Sequence, residues 1–83
     1  MIRFIRSSSP EAEQATGFRK SARAKKVIEG LLPPPIRIGG KAKAYIVDEL
    51  EAVNAARAVG ADDETIRKLV KALVAARSAM KAA

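Results

Sequence analysis

Three observations predict a mainly α-helical fold with one small β-hairpin. The chain has 83 residues, which is enough for one small domain. Its last third repeats apolar residues at helical spacing, from Ile66 to Met80. In the middle, three prolines precede an apolar–basic–apolar run and the pair Gly39-Gly40, which is a two-residue hairpin signal.

The composition excludes several classes of protein. There is no Cys and no His, which removes disulfides, zinc fingers, imidazole metal sites and the common nucleophile systems. We therefore expect no cofactor and no enzymatic activity. No run of about 18 apolar residues is present, and the first residues lack the apolar core of a signal peptide. These features predict a cytoplasmic protein that does not bind membranes.

The charge is strongly divided along the chain. The formal net charge is +7, and residues 1–43 contain 10 Lys/Arg against 3 Asp/Glu. Residues 44–83 contain 6 of each and are neutral overall. A segregated excess of this kind indicates a surface that binds a polyanion, nucleic acid first. The alternative is a solvated basic tail.

Two short helices are predicted in the basic half. Ser9 can cap a helix that has Pro10 at its first position and ends at Gly17, which gives a helix over 10–16. A second helix begins at Lys20 or Ser21 and ends at Glu29, closed by Gly30. Large apolar residues are scarce here, so the alternative is a basic disordered arm over 6–26 that orders on a polyanion.

The second helix is predicted to be amphipathic. At about 100° per residue, its inner face contains Ala24, Val27 and Ile28. The opposite, exposed face is strongly basic; it contains Arg19, Arg23 and Lys26, with Lys25 at its edge. Two short helices joined across Gly17 have the spacing of a helix-turn-helix.

A β-hairpin follows the second helix. Pro33-Pro34-Pro35 forces an extended conformation, and we call residues 31–35 the crossing segment. Residues 36–46 then form two strands joined at Gly39-Gly40. The hairpin places basic residues at or near its tip: Arg37, Lys41 and Lys43. Tyr45 in the return strand is predicted to be a core residue.

Two further helices complete the chain. The third helix covers about 47–59 and ends at Gly60, and Asp62-Asp63-Glu64 opens the fourth. The fourth helix carries an apolar stripe with basic residues such as Arg67 and Arg77 outside it. This stripe either packs on the third helix or forms a dimer surface, and it consists of Ile66, Leu69, Val70, Leu73 and Val74, continuing to Met80. The division predicted is a domain over 1–60 and an amphipathic helix over 61–83.

The order of these elements predicts a winged helix-turn-helix with an additional C-terminal helix. The region from Gly17 to Leu50 resembles the AlpA-type prophage regulators, which are relatives of phage excisionases with a MerR-like winged helix. The resemblance is carried by Gly30-Leu31, Pro33-Pro34-Pro35, Ile36-Arg37-Ile38, Gly39-Gly40-Lys41 and Tyr45. The chain departs from the family pattern at several positions: Arg19 replaces a Ser, Arg23 and Ala24 replace large apolar or aromatic residues, and Ala12 and Ala15 stand where Val and Leu are common.

The resemblance implies a regulator or excisionase-type factor of a phage or mobile element that binds double-stranded DNA near the nucleoid of a bacterial host. The predicted DNA contacts are Arg19, Lys20, Ser21, Arg23, Lys25 and Lys26 of the second helix and Arg37, Lys41 and Lys43 of the hairpin. The alternative is a non-catalytic adaptor that binds a protein partner, or a second copy of itself, through the C-terminal stripe. RNA binding is disfavoured because aromatic residues for base stacking are lacking.

Overall fold

The structure is a computed structural model that describes the backbone of residues 2–82 and the side chains of residues 2–79. Over these residues the chain forms four helices and one three-stranded antiparallel sheet. The elements, in chain order, are β1 (Phe4–Arg6), α1 (Pro10–Thr16), α2 (Lys20–Ile28), β2 (Ile36–Gly39), β3 (Ala42–Ile46), α3 (Val47–Ala58) and α4 (Asp63–Ala82). A mainly helical domain with a small sheet is therefore confirmed.

The predicted hairpin is present as β2 and β3. Arg37 is paired with Lys43, and the ladder is irregular between Arg37 and Gly39. Gly39 and Gly40 have positive φ values of 150° and 52°, which favour glycine over residues with a Cβ. Gly39 still belongs to β2 and is paired with Ala42, so the two turn residues are Gly40 and Lys41, one residue later than the predicted Gly39-Gly40.

The third strand was not predicted. β1 pairs antiparallel with β3, with Phe4 opposite Ile46 and Arg6 opposite Ala44, so the strand order is β1-β3-β2. The apolar–basic alternation of the first residues is the local signal for this strand. Its pairing partner lies about 40 residues away, and only the fold brings the two together.

The helix ends follow the local signals. Ser9 Oγ accepts a hydrogen bond from Glu11 N at 3.2 Å, and Gly17 ends α1 in the left-handed conformation with φ 76°. At the start of α4, Asp62 Oδ1 accepts a bond from Thr65 N at 2.9 Å. The acidic run at 62–64 thus opens a helix as predicted.

The core consists of two clusters that meet at adjacent leucines of the crossing segment. Leu32 packs with the predicted core residue Tyr45, with Ile5, Ala15 and Val27 against them, and this cluster also contains Ala12 and Leu50. Leu31 packs with Val53, Ile66 and Val70, with Ala56, Ala61, Leu69 and Leu73 around them. The crossing segment therefore joins the basic half to the C-terminal helices.

The apolar stripe of α4 packs within the monomer. Ile66 and Val70 are buried, Leu69 and Leu73 are half-buried, and Val74 is 36% exposed. The described part of the stripe is therefore mostly covered, by α3 and Leu31. The side chain of Met80 lies outside the described residues.

Three arginines of the C-terminal half donate to carbonyls around the crossing segment. Arg67 Nε lies 2.9 Å from Glu29 O, Arg57 Nη2 lies 3.2 Å from Leu31 O, and Arg77 Nη2 lies 2.8 Å from Pro34 O. Because prolines have no backbone N–H, the crossing segment cannot form a regular ladder of backbone hydrogen bonds. Its carbonyls therefore need other donors. Arg77 is 19% exposed at its side chain, so its predicted position outside the packing is wrong, whereas Arg67 remains 42% exposed.

Candidate nucleic-acid interface

The outward face of α2 is a continuous arc of five exposed residues: Lys20, Ser21, Ala24, Lys25 and Ile28. At about 100° per residue, Ala24, Ile28 and Ser21 lie along its middle, with Lys20 at one edge and Lys25 at the other. We call this arc the α2 face. It has a neutral midline between two lysines.

This orientation corrects the predicted one. Ala24 and Ile28 were expected to face inward, yet both are exposed, Ile28 at 87%. Arg23 and Lys26 were expected on the exposed face, yet Arg23 is buried and Lys26 is half-buried. The helix is rotated about its axis relative to the prediction, and Val27 is the larger apolar residue that it turns toward the core.

Arg23 explains the rotation. Its Nη1 donates to Phe18 O at 2.7 Å, and its Nη2 donates to Ser7 O at 2.9 Å, while the residue is only 4% exposed. The guanidinium thus satisfies carbonyls at both the turn before α2 and the end of β1, and the stem fills the buried position. The Arg23 guanidinium is therefore engaged with two backbone carbonyls, and its predicted exposure is wrong.

Two other predicted contacts already have partners within the chain. Lys26 Nζ lies 5.5 Å from the centre of the Phe18 ring and 3.8 Å from the Glu29 carboxylate. Arg19 Nε lies 3.9 Å from the Glu13 carboxylate, although its side chain is 88% exposed. Arg19 therefore remains open to a further ligand, whereas Lys26 is largely engaged.

Arg3 is also paired, with Glu51 at 3.2 Å. The other six cations of the basic half are exposed, and within the described part of the chain no carboxylate lies within 4.0 Å of any of them. This set comprises Arg6, Lys20, Lys25, Arg37, Lys41 and Lys43. Arg6 was not among the predicted site residues, because the strand that holds it was not predicted. Since no acidic side chain neutralises these charges, they are available to an anionic partner.

A groove of about 490 Å³ joins the α2 face to the sheet. Lys20, Ala24 and Ile28 line it on one side, and Lys43 and Tyr45 of β3 line it on the other. Arg37 lies directly opposite Lys43 in the hairpin ladder, which places both residues on one side of the sheet. The structure thus brings Lys20 of α2 and Lys43 of the hairpin, two of the predicted lysines, to one groove.

A second groove, of about 560 Å³, is mainly apolar. Ile2, Phe4, Ile36 and Ile46 line it together with Arg77, and Phe4 is 47% exposed. Neighbouring residues in β1 and β3 alternate between the two sides of the sheet. This groove therefore lies on the side opposite to the core residue Tyr45.

Over the described residues, no group of three or more Asp, Glu, His or Cys side chains is placed to hold a metal ion. In the same part of the chain, no helix combines the length and apolar character needed to cross a membrane.

Comparisons with family models, with curated proteins and with solved structures find no match for this chain. The resemblance to AlpA-type regulators therefore stays a prediction.

Proposed function

We propose that this protein is a small non-catalytic double-stranded DNA-binding protein with a winged helix-turn-helix, which acts as a transcriptional regulator or excisionase-type factor of a phage or mobile element. In this proposal α1 and α2 form the helix-turn-helix, and the β2–β3 hairpin is the wing. The observation that carries it is that two uncompensated cations, Lys20 of α2 and Lys43 of the hairpin, line one groove between α2 and the sheet.

The shape of α2 supports this role. A helix about 10–12 Å across fits the major groove of B-DNA, which is about 12 Å wide. Lys20 and Lys25 lie at opposite edges of the α2 face, so each can reach the phosphates on one side of such a groove. The neutral midline between them then faces the base edges.

The wing adds contacts to the DNA backbone. Arg37 and Lys43 are paired across the hairpin, and Lys41 lies in its turn. All three side chains are exposed. If the five uncompensated cations of α2 and the hairpin all meet phosphates, the log–log dependence of affinity on salt has a slope of about −4.5.

The test compares two pairs of exposed helical lysines. The double variant Lys20→Gln/Lys25→Gln removes two charges from the α2 face, and Lys68→Gln/Lys71→Gln removes two from exposed positions of α4. We expect the first to lower affinity for duplex DNA about ten-fold or more and to flatten the salt slope by about 2. The second should leave both quantities unchanged. Equal effects of the two pairs, or no binding of duplex DNA at low salt, would contradict the proposal.

The alternative function, a protein adaptor that uses the stripe of α4, has less support. Ile66 and Val70 are buried, so the stripe leaves little apolar surface for a partner helix. The open apolar groove at Phe4 is a separate surface on the sheet. The adaptor would be favoured if the purified protein failed to shift any duplex while retaining a partner after nuclease treatment.

A further inference from the structure

The most exposed large apolar side chain of the described residues lies on the α2 face. Ile28 is 87% exposed at the C-terminal end of α2, and Ala24, one turn earlier, is also exposed. In most surface helices such residues face the core. Here Arg23 occupies the inward position and is held by two carbonyls, so the rotation that buries it turns Ala24 and Ile28 outward.

The surroundings of these two residues restrict what they can contact. Lys20 and Lys25 lie at the two edges of the same face, and Lys43 lies across the groove. A protein partner with an apolar surface would bring Ile28 into contact only by covering these lysines, which is costly unless they are paired. A polyanion, in contrast, pairs with the lysines. The neutral midline of the α2 face then contacts the part of the polyanion that lies between its charged groups.

Duplex DNA offers one apolar group to such a midline. In the major groove, the C5-methyl group of thymine distinguishes A·T pairs, and aliphatic side chains make contact with it. We propose that Ala24 and Ile28 contact thymine methyl groups, so that the preferred duplex carries A·T pairs under the second half of α2. This inference rests on the DNA-binding function proposed above, and it adds which chemical group of the DNA the protein recognises.

The experiment removes the methyl group without changing base pairing. A short alternating A·T duplex is compared with the same duplex in which uracil replaces thymine. We expect the wild-type protein to bind the thymine duplex about four- to fifteen-fold more tightly, which corresponds to burial of one or two methyl groups. For Ile28→Ala the ratio should fall to about four-fold or less, since only the Ala24 contact remains.

The matched control is Val59→Ala. Val59 is 85% exposed at the end of α3, so this variant also shortens an exposed branched side chain. It should keep the wild-type ratio between the thymine and uracil duplexes. A second readout uses an alternating G·C duplex, in which 5-methylcytosine places a methyl group at the same ring position. Methylation should raise the affinity of the wild-type protein and have less effect on Ile28→Ala.

The outcomes separate the inference from the proposed function. Equal wild-type affinity for the thymine and uracil duplexes, with steep salt dependence retained, would overturn the methyl contact and leave DNA binding standing. A wild-type ratio retained in Ile28→Ala would overturn the role of Ile28. Failure to bind any of these duplexes at low salt would overturn DNA binding itself.

Discussion

Arg77 of α4 binds both carboxylate oxygens of Glu49 in α3, with Nη2 2.6 Å from Oε1 and Nε 2.8 Å from Oε2. Glu49 is 2% exposed, and Arg77 Nη2 also donates to Pro34 O at 2.8 Å. One guanidinium thus joins α4, α3 and the crossing segment. Because that segment connects α2 to the hairpin, the C-terminal half helps to position both proposed DNA-binding elements.

Removal of this guanidinium should be strongly destabilising. Arg77→Met leaves the Glu49 carboxylate buried without its partner and Pro34 O without its donor. We expect the free energy of unfolding to fall by about 3–5 kcal/mol, as for other buried pairs that lose one member. Urea unfolding followed by far-ultraviolet circular dichroism measures the loss.

Two variants make this prediction specific. Arg3→Met breaks the ion pair with Glu51, whose side chains are both 62% exposed, and should cost less than about 1 kcal/mol. The double variant Glu49→Leu/Arg77→Met removes both charges and should recover part of the stability lost in Arg77→Met alone. A similar cost for Arg77→Met and Arg3→Met would contradict the importance of the buried pair.

Much of the fold could be predicted from signals that act over a few residues. Ser9 and Pro10 begin α1, Gly17 ends it, and Gly39 and Gly40 both adopt positive φ at the hairpin connection. Each of these signals fixes a backbone conformation or a hydrogen bond within a few residues. The local structure that it specifies therefore does not depend on the rest of the fold. The existence of α4 follows similarly from its long apolar stripe.

The features of the fold that the sequence did not predict depend on residues that are distant in the chain. β1 is three residues long, and Phe4 finds its partner Ile46 only in the folded sheet. The predicted orientation of α2 was wrong because an argument from helical periodicity places Arg23, as a charged residue, on the surface. A guanidinium with five donors can instead occupy an interior position if backbone carbonyls meet it there, as those of Ser7 and Phe18 do. The candidate site changed accordingly, from a face centred on Arg23 to one centred on Ala24 and Ile28.

Arg23 is therefore expected to support stability rather than to read bases. Arg23→Met keeps an apolar stem but leaves two carbonyls without donors, which should cost about 2–4 kcal/mol. Arg23→Lys retains the charge but replaces with a single nitrogen the two nitrogens that bond Phe18 O and Ser7 O, so its cost should be about half as large. Denaturant unfolding gives these values.

DNA binding by Arg23→Lys supplies the discriminating measurement. At a temperature where the variant is folded, its sequence preference should match that of the wild-type protein, because residue 23 is buried beneath the α2 face. A relaxed preference in a variant of unchanged stability would identify Arg23 as a base contact and contradict its structural role.

The wing is expected to contribute affinity without specificity. Lys41→Gln at the hairpin turn should weaken binding to A·T-rich and G·C-rich duplexes by the same factor and flatten the salt slope by about 1. Fluorescence anisotropy over a range of salt concentrations measures both effects, with Lys71→Gln as the exposed control outside the groove. A loss confined to one duplex would assign Lys41 to base readout instead.

The start of α4 should make stability depend on pH in acid. Hydrogen bonds from the side chain and backbone of Thr65 hold the pKa of Asp62 below its ordinary value of 3.8. A group with a lowered folded-state pKa stabilises the protein fully above its unfolded-state pKa, and that contribution is lost as pH falls through the folded-state value. Asp62→Asn keeps a capping side chain but does not titrate. Its melting temperature should therefore fall less than that of the wild-type protein below about pH 4.

The control is Asp63→Asn, which leaves the Asp62–Thr65 bonds intact. In this variant the contribution of Asp62 to the acid sensitivity should be the same as in the wild-type protein. Melting curves by circular dichroism across this range test the difference, and identical acid profiles for Asp62→Asn and the wild-type protein would show that the cap charge contributes nothing.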